Sequence, residues 1–267
     1  IYNQEINQQK EEIETQAESL IAANEAIIAQ RDHIENTHQK ISDSIVYASL
    51  IQAAMLPSEE VLNTISSEIF ILYKPRDIVS GDFYWFKERD GNYLLAVADC
   101  TGHGVPGALL SMMGISFLND IVANSTALKT SSILEDLRNN VKLALGQFSN
   151  KSLRKEGIEI GLIEYNSDNR TISFSGAYLS LWLCRNGILK EYKSDRMSIG
   201  ISLKEKTFSH VEFSVESGDT IYMFTDGYAD QLGGPYRKKL LRRNLIQEIT
   251  SISHLPLKEQ KSHLENM

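Results

Sequence analysis

Three aspartates stand where a short apolar run meets glycine or another small residue. They are Asp82 in Ser80-Gly81-Asp82-Phe83-Tyr84-Trp85, Asp99 in Val97-Ala98-Asp99-Cys100-Thr101-Gly102-His103-Gly104, and Asp226 in Phe224-Thr225-Asp226-Gly227. Carboxylates at the ends of strands can converge from distant parts of a chain on one hard cation. Oxygen-only ligation suits magnesium or manganese, whereas zinc would call for His or Cys at ligand spacing, which is absent. Taken singly, each Asp is equally well read as a turn cap. No serine-histidine-aspartate arrangement accompanies them, and Cys100 and Cys184 are not in the Cys-x5-Arg spacing of a cysteine nucleophile.

The elements that would position these groups begin at Ile69. Short β-rich runs cover Ile69–Tyr73, Asp82–Phe86, Tyr93–Ala98, Ile158–Glu164, Thr171–Ser175, Ser180–Cys184, Leu189–Tyr192, Phe208–Phe213 and Thr220–Phe224. Turn-favouring Arg89-Asp90-Gly91-Asn92 and Arg185-Asn186-Gly187 separate neighbouring runs, so the strands are expected to pair as antiparallel hairpins. Helical stretches are expected at Val105–Val122 and Ser131–Phe148, with another starting near Lys239. Strands grouped around a helical pair predict an α+β fold of two packed antiparallel sheets with helices outside. A parallel doubly wound sheet is disfavoured, since helices do not alternate with strands and no phosphate-binding glycine loop opens a helix.

The first 56 residues differ in kind. They hold nine acidic and three basic side chains, supplying −6 of the net charge of −8, and contain neither glycine nor proline, whereas all 16 glycines lie at Gly81 or later. A boundary near Pro57 follows. Ile6, Ile13, Leu20, Ile27, Ile34 and Ile41 recur every seven residues, continued by Ala48 and Met55, while the companion seam of Tyr2, Gln9, Gln16, Ala23, Gln30, Thr37, Ser44 and Ile51 is mostly polar or small. So narrow a stripe predicts a parallel homodimeric coiled coil, the alternative being a helix laid on its own domain. Residues 43–57 carry more apolar positions than one seam consumes, namely Ile45, Ala48, Ile51, Met55 and Leu56, and are expected to form a switch linker that packs on the globular part.

The acidic balance argues against nucleic acid as partner. The longest uninterrupted apolar run, Tyr93 to Ala98, is strand-sized, so no membrane-spanning helix is expected. Two cysteines are too few for a disulfide framework and suggest a reducing cytoplasm. A start at Ile1 suggests a piece of a longer protein with a sensor upstream; attachment of that parent to a membrane through its upstream region stays open.

Taken together, the segments resemble the SpoIIE-type branch of the metal-dependent protein phosphatases, the PPM or protein phosphatase 2C-like family. The likeness runs from Ser44-Ile45-Val46-Tyr47-Ala48 and Ile51-Gln52-Ala53-Ala54-Met55-Leu56-Pro57 through Gly81-Asp82-Phe83-Tyr84 and the Asp99 to Pro106 run. It continues with Ser175-Gly176-Ala177, Lys193 to Gly200, Gly218-Asp219, Thr225 to Gln231 and Gly233-Gly234-Pro235. The resemblance implies an αββα sandwich over residues 57–267, two Mn2+ or Mg2+ ions at one edge, and serine/threonine phosphatase activity. The implied substrate is a phosphoserine or phosphothreonine regulatory protein, often of the anti-sigma-factor antagonist type. It also implies that Asp99 bridges the ions, that Asp82 and Asp226 each bind one, and that the Cys100 carbonyl contributes. Divalent ions lower the pKa of bound water and neutralise phosphoryl charge, so no side-chain nucleophile is required.

Around that core, His103 is read either as a general acid or as a residue that packs or caps at the start of the Val105 helix. Arg76 is read as a phosphate ligand or an ordinary surface arginine. The basic run Arg237, Lys238, Lys239, Arg242 and Arg243 is better read as solvated than as an acidic-partner dock. Two features depart from the family. Gly157-Ile158-Glu159 stands where many relatives carry Gly-Met-Asp, and no paired aspartates introducing a terminal strand appear before Met267. Either the chain is cut short or the metal site is incomplete, and a slow or non-catalytic PPM-fold module is the alternative to an active enzyme.

Overall fold

A computed structural model describes residues 2–62, 69–125, 129–148, 156–202, 204–233 and 238–267. Helix α1 spans Tyr2–Met55 and one turn, α2, spans Glu59–Leu62. Strands β1 (Phe83–Arg89) and β2 (Asn92–Cys100) lead into helices α3 (Gly104–Asn124) and α4 (Thr130–Ala144). Next come β3 (Gly157–Asn166), β4 (Thr171–Ala177), β5 (Leu181–Arg185), β6 (Ile188–Tyr192), β7 (Ile199–Gly200), β8 (Val211–Ser214) and β9 (Thr220–Tyr222). The chain finishes with α5 (Asp226–Ala229), β10 (Leu232–Gly233), β11 (Lys238–Lys239), α6 (Arg242–Ile252) and α7 (Leu257–Glu265). Two compact units divide between Ala48 and Ser49, so the last turns of α1 belong with the globular unit.

In the first unit the seven-residue series is bare: Ile6, Ile13, Leu20, Ile27, Ile34 and Ile41 are each more than half exposed. In the second, one antiparallel sheet has the order β1-β2-β3-β4-β8, with β7 also on β3, and a second has the order β6-β5-β9. The period-two pleat sorts the side chains of β2. Leu94, Ala96, Ala98 and Cys100 are buried on one face and cluster with Ile115 and Leu118 of α3 and Leu134 and Leu137 of α4. Leu95 turns to the other face and packs with Ile163, Phe174 and Leu181. On the far side of the second sheet, Cys184 and Tyr222 meet Leu245, Ile249 and Leu264 of α6 and α7. Helix, sheet, sheet and helix therefore form the four expected layers. Each fully buried Leu or Ile in them contributes about 1.5–3 kcal/mol.

Three sequence expectations are corrected. Helix α3 is 21 residues long and has a mean hydropathy of 1.5, enough by length and composition to cross a membrane, although no single uninterrupted run signals it. Half of that stretch is buried within the fold, which is what an inner helix packed on a sheet requires. Ile69–Tyr73 forms no strand ladder. Its residues are divided instead between two clusters, Ile69 and Ile71 on one and Phe70 and Leu72 on the other, so alternation here serves packing without pairing. Phe208 to His210 stay outside β8, because the backbone donors of Phe208 and Ser209 are taken by the carboxylates of Glu135 (2.8 Å) and Asp195 (2.6 Å). Helix α7 had no clear signal in its mixed, polar sequence. Arg237, Gly234 and Pro235 lie outside the described residues.

Candidate metal centre

The carboxylates named from sequence come together at one end of the sandwich. Asp82 immediately precedes β1, Asp99 is the penultimate residue of β2, and Asp226 opens α5. Asp99 lies directly opposite Glu159 in the β2–β3 register, so the two share a sheet face. Thr225 donates to Asp82 Oδ2 at 2.8 Å, which ties the segment before α5 to the segment before β1. A Cβ on Gly227 would stand 3.5 Å from that same oxygen. The backbone beneath is tight. A side chain on Gly81 would begin 3.0 Å from the carbonyl oxygens of Cys100 and Gly102, and one on Gly107 would meet the Gly102 oxygen at 2.5 Å. The start of α3 is thereby pressed against both aspartate-bearing segments.

Electrostatics register the crowding. Burial pushes the Asp99 carboxyl up to about 8, helped by Asp82 as charge and hydrogen-bond partner, and by Asp226 and Glu159. Glu159 is raised as well, by burial first and then by Asp226. The Cys100 thiol is pushed well up by burial and by the neighbouring carboxylates, so it is no nucleophile. Four hard oxygen donors repelling one another suit a divalent cation. Yet among the described residues no three His, Cys, Asp or Glu side chains stand close enough together to hold an ion. The carboxylates are neighbours by charge without being a closed ligand set.

A pH dependence follows. A carboxyl whose folded pKa exceeds its unfolded value of 3.8 keeps its proton preferentially in the folded state. Its contribution to stability is complete below about pH 4 and is lost as pH rises through about 8. In chelator, the melting temperature should therefore fall between pH 5 and pH 9, and Asp99→Asn should flatten that slope. Parallel wild-type and mutant slopes would refute the assignment.

Several neighbours had no clear sequence signal. Gln52 is buried in the last turns of α1. Its Nε2 donates to the Ser80 carbonyl (2.6 Å) and to Ser111 Oγ (2.8 Å), and its Oε1 accepts from the Ser80 N–H (3.0 Å). Ser80 Oγ accepts in turn from the Asp82 N–H (3.0 Å), and the Tyr73 hydroxyl donates to the Asp82 carbonyl (3.2 Å). Met55 and Leu56 pack on the core beside them. In the sequence Gln52 shows as a lone polar residue inside the apolar turn from Ile51 to Leu56, within a segment that carries the family resemblance but gives it no role.

Arg76 and His103 are brought together, with an acid between them that sequence reading passed over. Asp77 Oδ2 lies 3.3 Å from His103 Nδ1, Asp77 Oδ1 lies 3.6 Å from Arg76 Nε, and Arg76 Nη2 lies 3.4 Å from His103 Nδ1. The arginine and histidine are about three-quarters exposed, and His103 holds the N-cap position of α3 through its backbone, with no side-chain cap hydrogen bond. In the basic run, Lys239 pairs with Asp230 and Arg242 with Glu191, so two of its cations are internally engaged.

Between the sheets lies a cavity of about 870 Å3, lined by Leu72, Leu95, Ile163 and Met223 and reaching Asp82 and Thr225 at one end. It borders β9, whose one strand partner among the described residues is β5.

Two antiparallel sheets between helical layers, with carboxylates converging at one end, define a PP2C-type phosphatase fold. The solved SiaA-PP2C domain of Pseudomonas aeruginosa matches with a TM-score of 0.77 and 32% identity, covering 86% of this chain and 89% of that one. The phosphatase domain of SpoIIE from Bacillus subtilis shares the fold at a TM-score of 0.54 and 18% identity, over 69% of this chain and 52% of that one. A sequence model of the stage II sporulation protein E (SpoIIE) family matches residues 89–266, and the chain belongs to that family. It is also 25% identical over 215 residues to the phosphoserine phosphatase RsbU of Bacillus subtilis (strain 168), across 76% of this chain. The match spans 59% of RsbU's length.

Proposed function

We propose that this chain is a divalent-metal-dependent phosphatase that releases phosphate from serine or threonine of a regulatory protein, of the anti-sigma-factor antagonist type that the family resemblance implies. The observation that carries this reading is the convergence of Asp82, Asp99, Glu159 and Asp226, where burial first and the neighbouring carboxylates second push Asp99 up to about 8. Asp82, Asp99 and Asp226, with the Cys100 carbonyl, would hold Mn2+ or Mg2+. When bound, the ions supply an activated water and neutralise charge on the phosphoryl group. The protein's own part is to hold the carboxylates against their repulsion, through Thr225 on Asp82 and the ladder between Asp99 and Glu159. Arg76, on the segment leading to Asp82, would take a phosphate oxygen when it swings from Asp77 and His103.

The open ligand set favours a second reading, a non-catalytic signalling module of the same fold. Phosphate release from a phosphoserine protein with Mn2+ decides between them: no release sinks the enzyme reading. We place the reaction in the cytoplasm, where the two free buried thiols stay reduced, with the sensor upstream.

The exposed seven-residue series supports a parallel homodimer through residues 1–56, because a stripe of isoleucines in water gains most by facing a copy of itself. Deleting residues 1–43 should yield a monomer at micromolar concentration in sedimentation. A truncated protein that still sedimented as a dimer would remove the coiled coil from the account. The grip of Gln52 on Ser80 supports the switch-linker reading, since it joins the end of α1 to the backbone two residues before Asp82.

A further inference from the structure

Tyr178 stands apart from the machinery described above. It follows β4 with φ of 59°, a left-handed conformation that a bulky residue adopts only under constraint. The Leu179 N–H donates to the Ala177 carbonyl (2.8 Å), closing a three-residue γ-turn of the rare positive-φ kind. The Tyr178 N–H donates to the Asp195 carbonyl and the Asp195 N–H to the Gly176 carbonyl (2.8 and 2.9 Å), so the turn is clamped from both sides. Gly176 leaves no slack, since a Cβ there would meet the Leu179 carbonyl oxygen at 2.4 Å. The constraint holds an aromatic side chain 46% exposed, and among the described residues no hydrogen bond or ring contact engages it. Strain of this kind persists where the surroundings enforce it, and such places are commonly functional.

Its location gives the strain a use. Asp99 is opposite Glu159 across β2 and β3, and Ala177 is opposite Ile160 across β3 and β4. Tyr178 is one residue past that last rung, where the chain leaves β4 with its N–H on the Asp195 carbonyl, so its backbone stands next to the row of Asp99 and Glu159, two strands from Asp99. At about 4.8 Å per strand the separation is roughly 10 Å. An extended peptide advances about 3.3 Å per residue, so with its phosphoserine at Asp99 its side chains two or three positions away reach Tyr178.

We propose that Tyr178 is a specificity-determining residue whose displayed ring docks an apolar side chain two or three positions from the phosphoserine of the partner protein. The proposal rests on the phosphatase reading above. A rigid aromatic held outward suits this role, because its contact area is offered with little conformational entropy left to lose.

The test uses the protein with Mn2+ and three probes: p-nitrophenyl phosphate and two phosphoserine peptides carrying Leu or Gly at the second and third positions on either side of the phosphoserine. The native protein should prefer the Leu peptide by about tenfold in kcat/KM, the size of a truncated aromatic contact. Tyr178→Gly accepts the positive φ without strain and should melt no lower than the native protein. It should lose the preference while p-nitrophenyl phosphate turnover stays unchanged, and Tyr178→Phe should keep the preference. No Leu preference in the native protein, an equal loss on all three probes, or a preference surviving in Tyr178→Gly would each overturn the proposal. Absence of turnover on every probe by the native protein would instead bring down the phosphatase reading, and this role with it.

Discussion

Asp99→Asn should abolish phosphate release, by at least about a thousandfold, while leaving the domain folded and, in chelator near pH 8, more heat-stable than the native protein. The two effects share one cause. A half-buried carboxylate beside Asp82, Glu159 and Asp226 is held there against repulsion, and that repulsion is what makes the place attractive to a divalent ion. An amide of the same shape removes the repulsion and the anionic ligand together. Metal stabilisation of phosphoryl charge supplies several kcal/mol, and each 1.36 kcal/mol is about tenfold in rate. Turnover by malachite-green phosphate assay with Mn2+ and calorimetry in chelator give the two readings. A variant that is slower but also melts lower would mean that Asp99 is structural.

Gln52→Ala should cost about 1–3 kcal/mol of stability, because the buried Ser80 N–H loses its acceptor while the Ser80 carbonyl is left with the longer bond from Ser111 Oγ (3.3 Å). For a unit of this size that lowers the melting temperature by roughly 2–12 °C. The more telling number is turnover at a temperature where the variant remains folded. Ser80 holds the Asp82 N–H through its hydroxyl, so freeing the Ser80 backbone loosens the position of a metal-site carboxylate, and the rate should drop by at least about tenfold. A variant that melts earlier yet turns over normally when folded would confine Gln52 to packing and leave the switch linker without its link to the site.

The difference between these two residues shows what the sequence can carry. Asp99 is legible because chemistry and position coincide: a carboxylate at the end of an alternating run, beside glycine, announces a strand end with something to hold. The sheets are legible for a related reason. Period-two burial in β2 and the Asp90-Gly91 and Asn186-Gly187 turns are local facts, written over a few neighbouring residues. Gln52 has no such local signature, since its partners Ser80 and Ser111 lie 28 and 59 residues away. Asp77 was hidden for the same reason: it matters through His103, on another segment. Ile69–Tyr73 misled because alternation reports which way side chains point and says nothing of whether a backbone neighbour is present. Helix α3 misled in the opposite sense. Glycines and serines interrupt its apolar residues, so no long run shows by eye, yet its average hydropathy is high.

The press of α3 on the segments bearing Asp82 and Asp99 bears on how this protein tolerates mutation. Arg76 and His103 carry the functional groups that catch the eye, yet both point into water and could be exchanged without disturbing the backbone beneath them. Gly107 carries nothing, but even a methyl group there would lie 2.5 Å from the Gly102 oxygen and 3.1 Å from the Gly81 Cα. Neither of those neighbours is a side chain that could rotate aside, so α3 itself would have to retreat and the spacing of the two aspartates would open with it. The order of replaceability is thus inverted relative to chemical prominence, and the spacing of the carboxylates at the candidate metal centre is guarded by a residue with no functional group of its own.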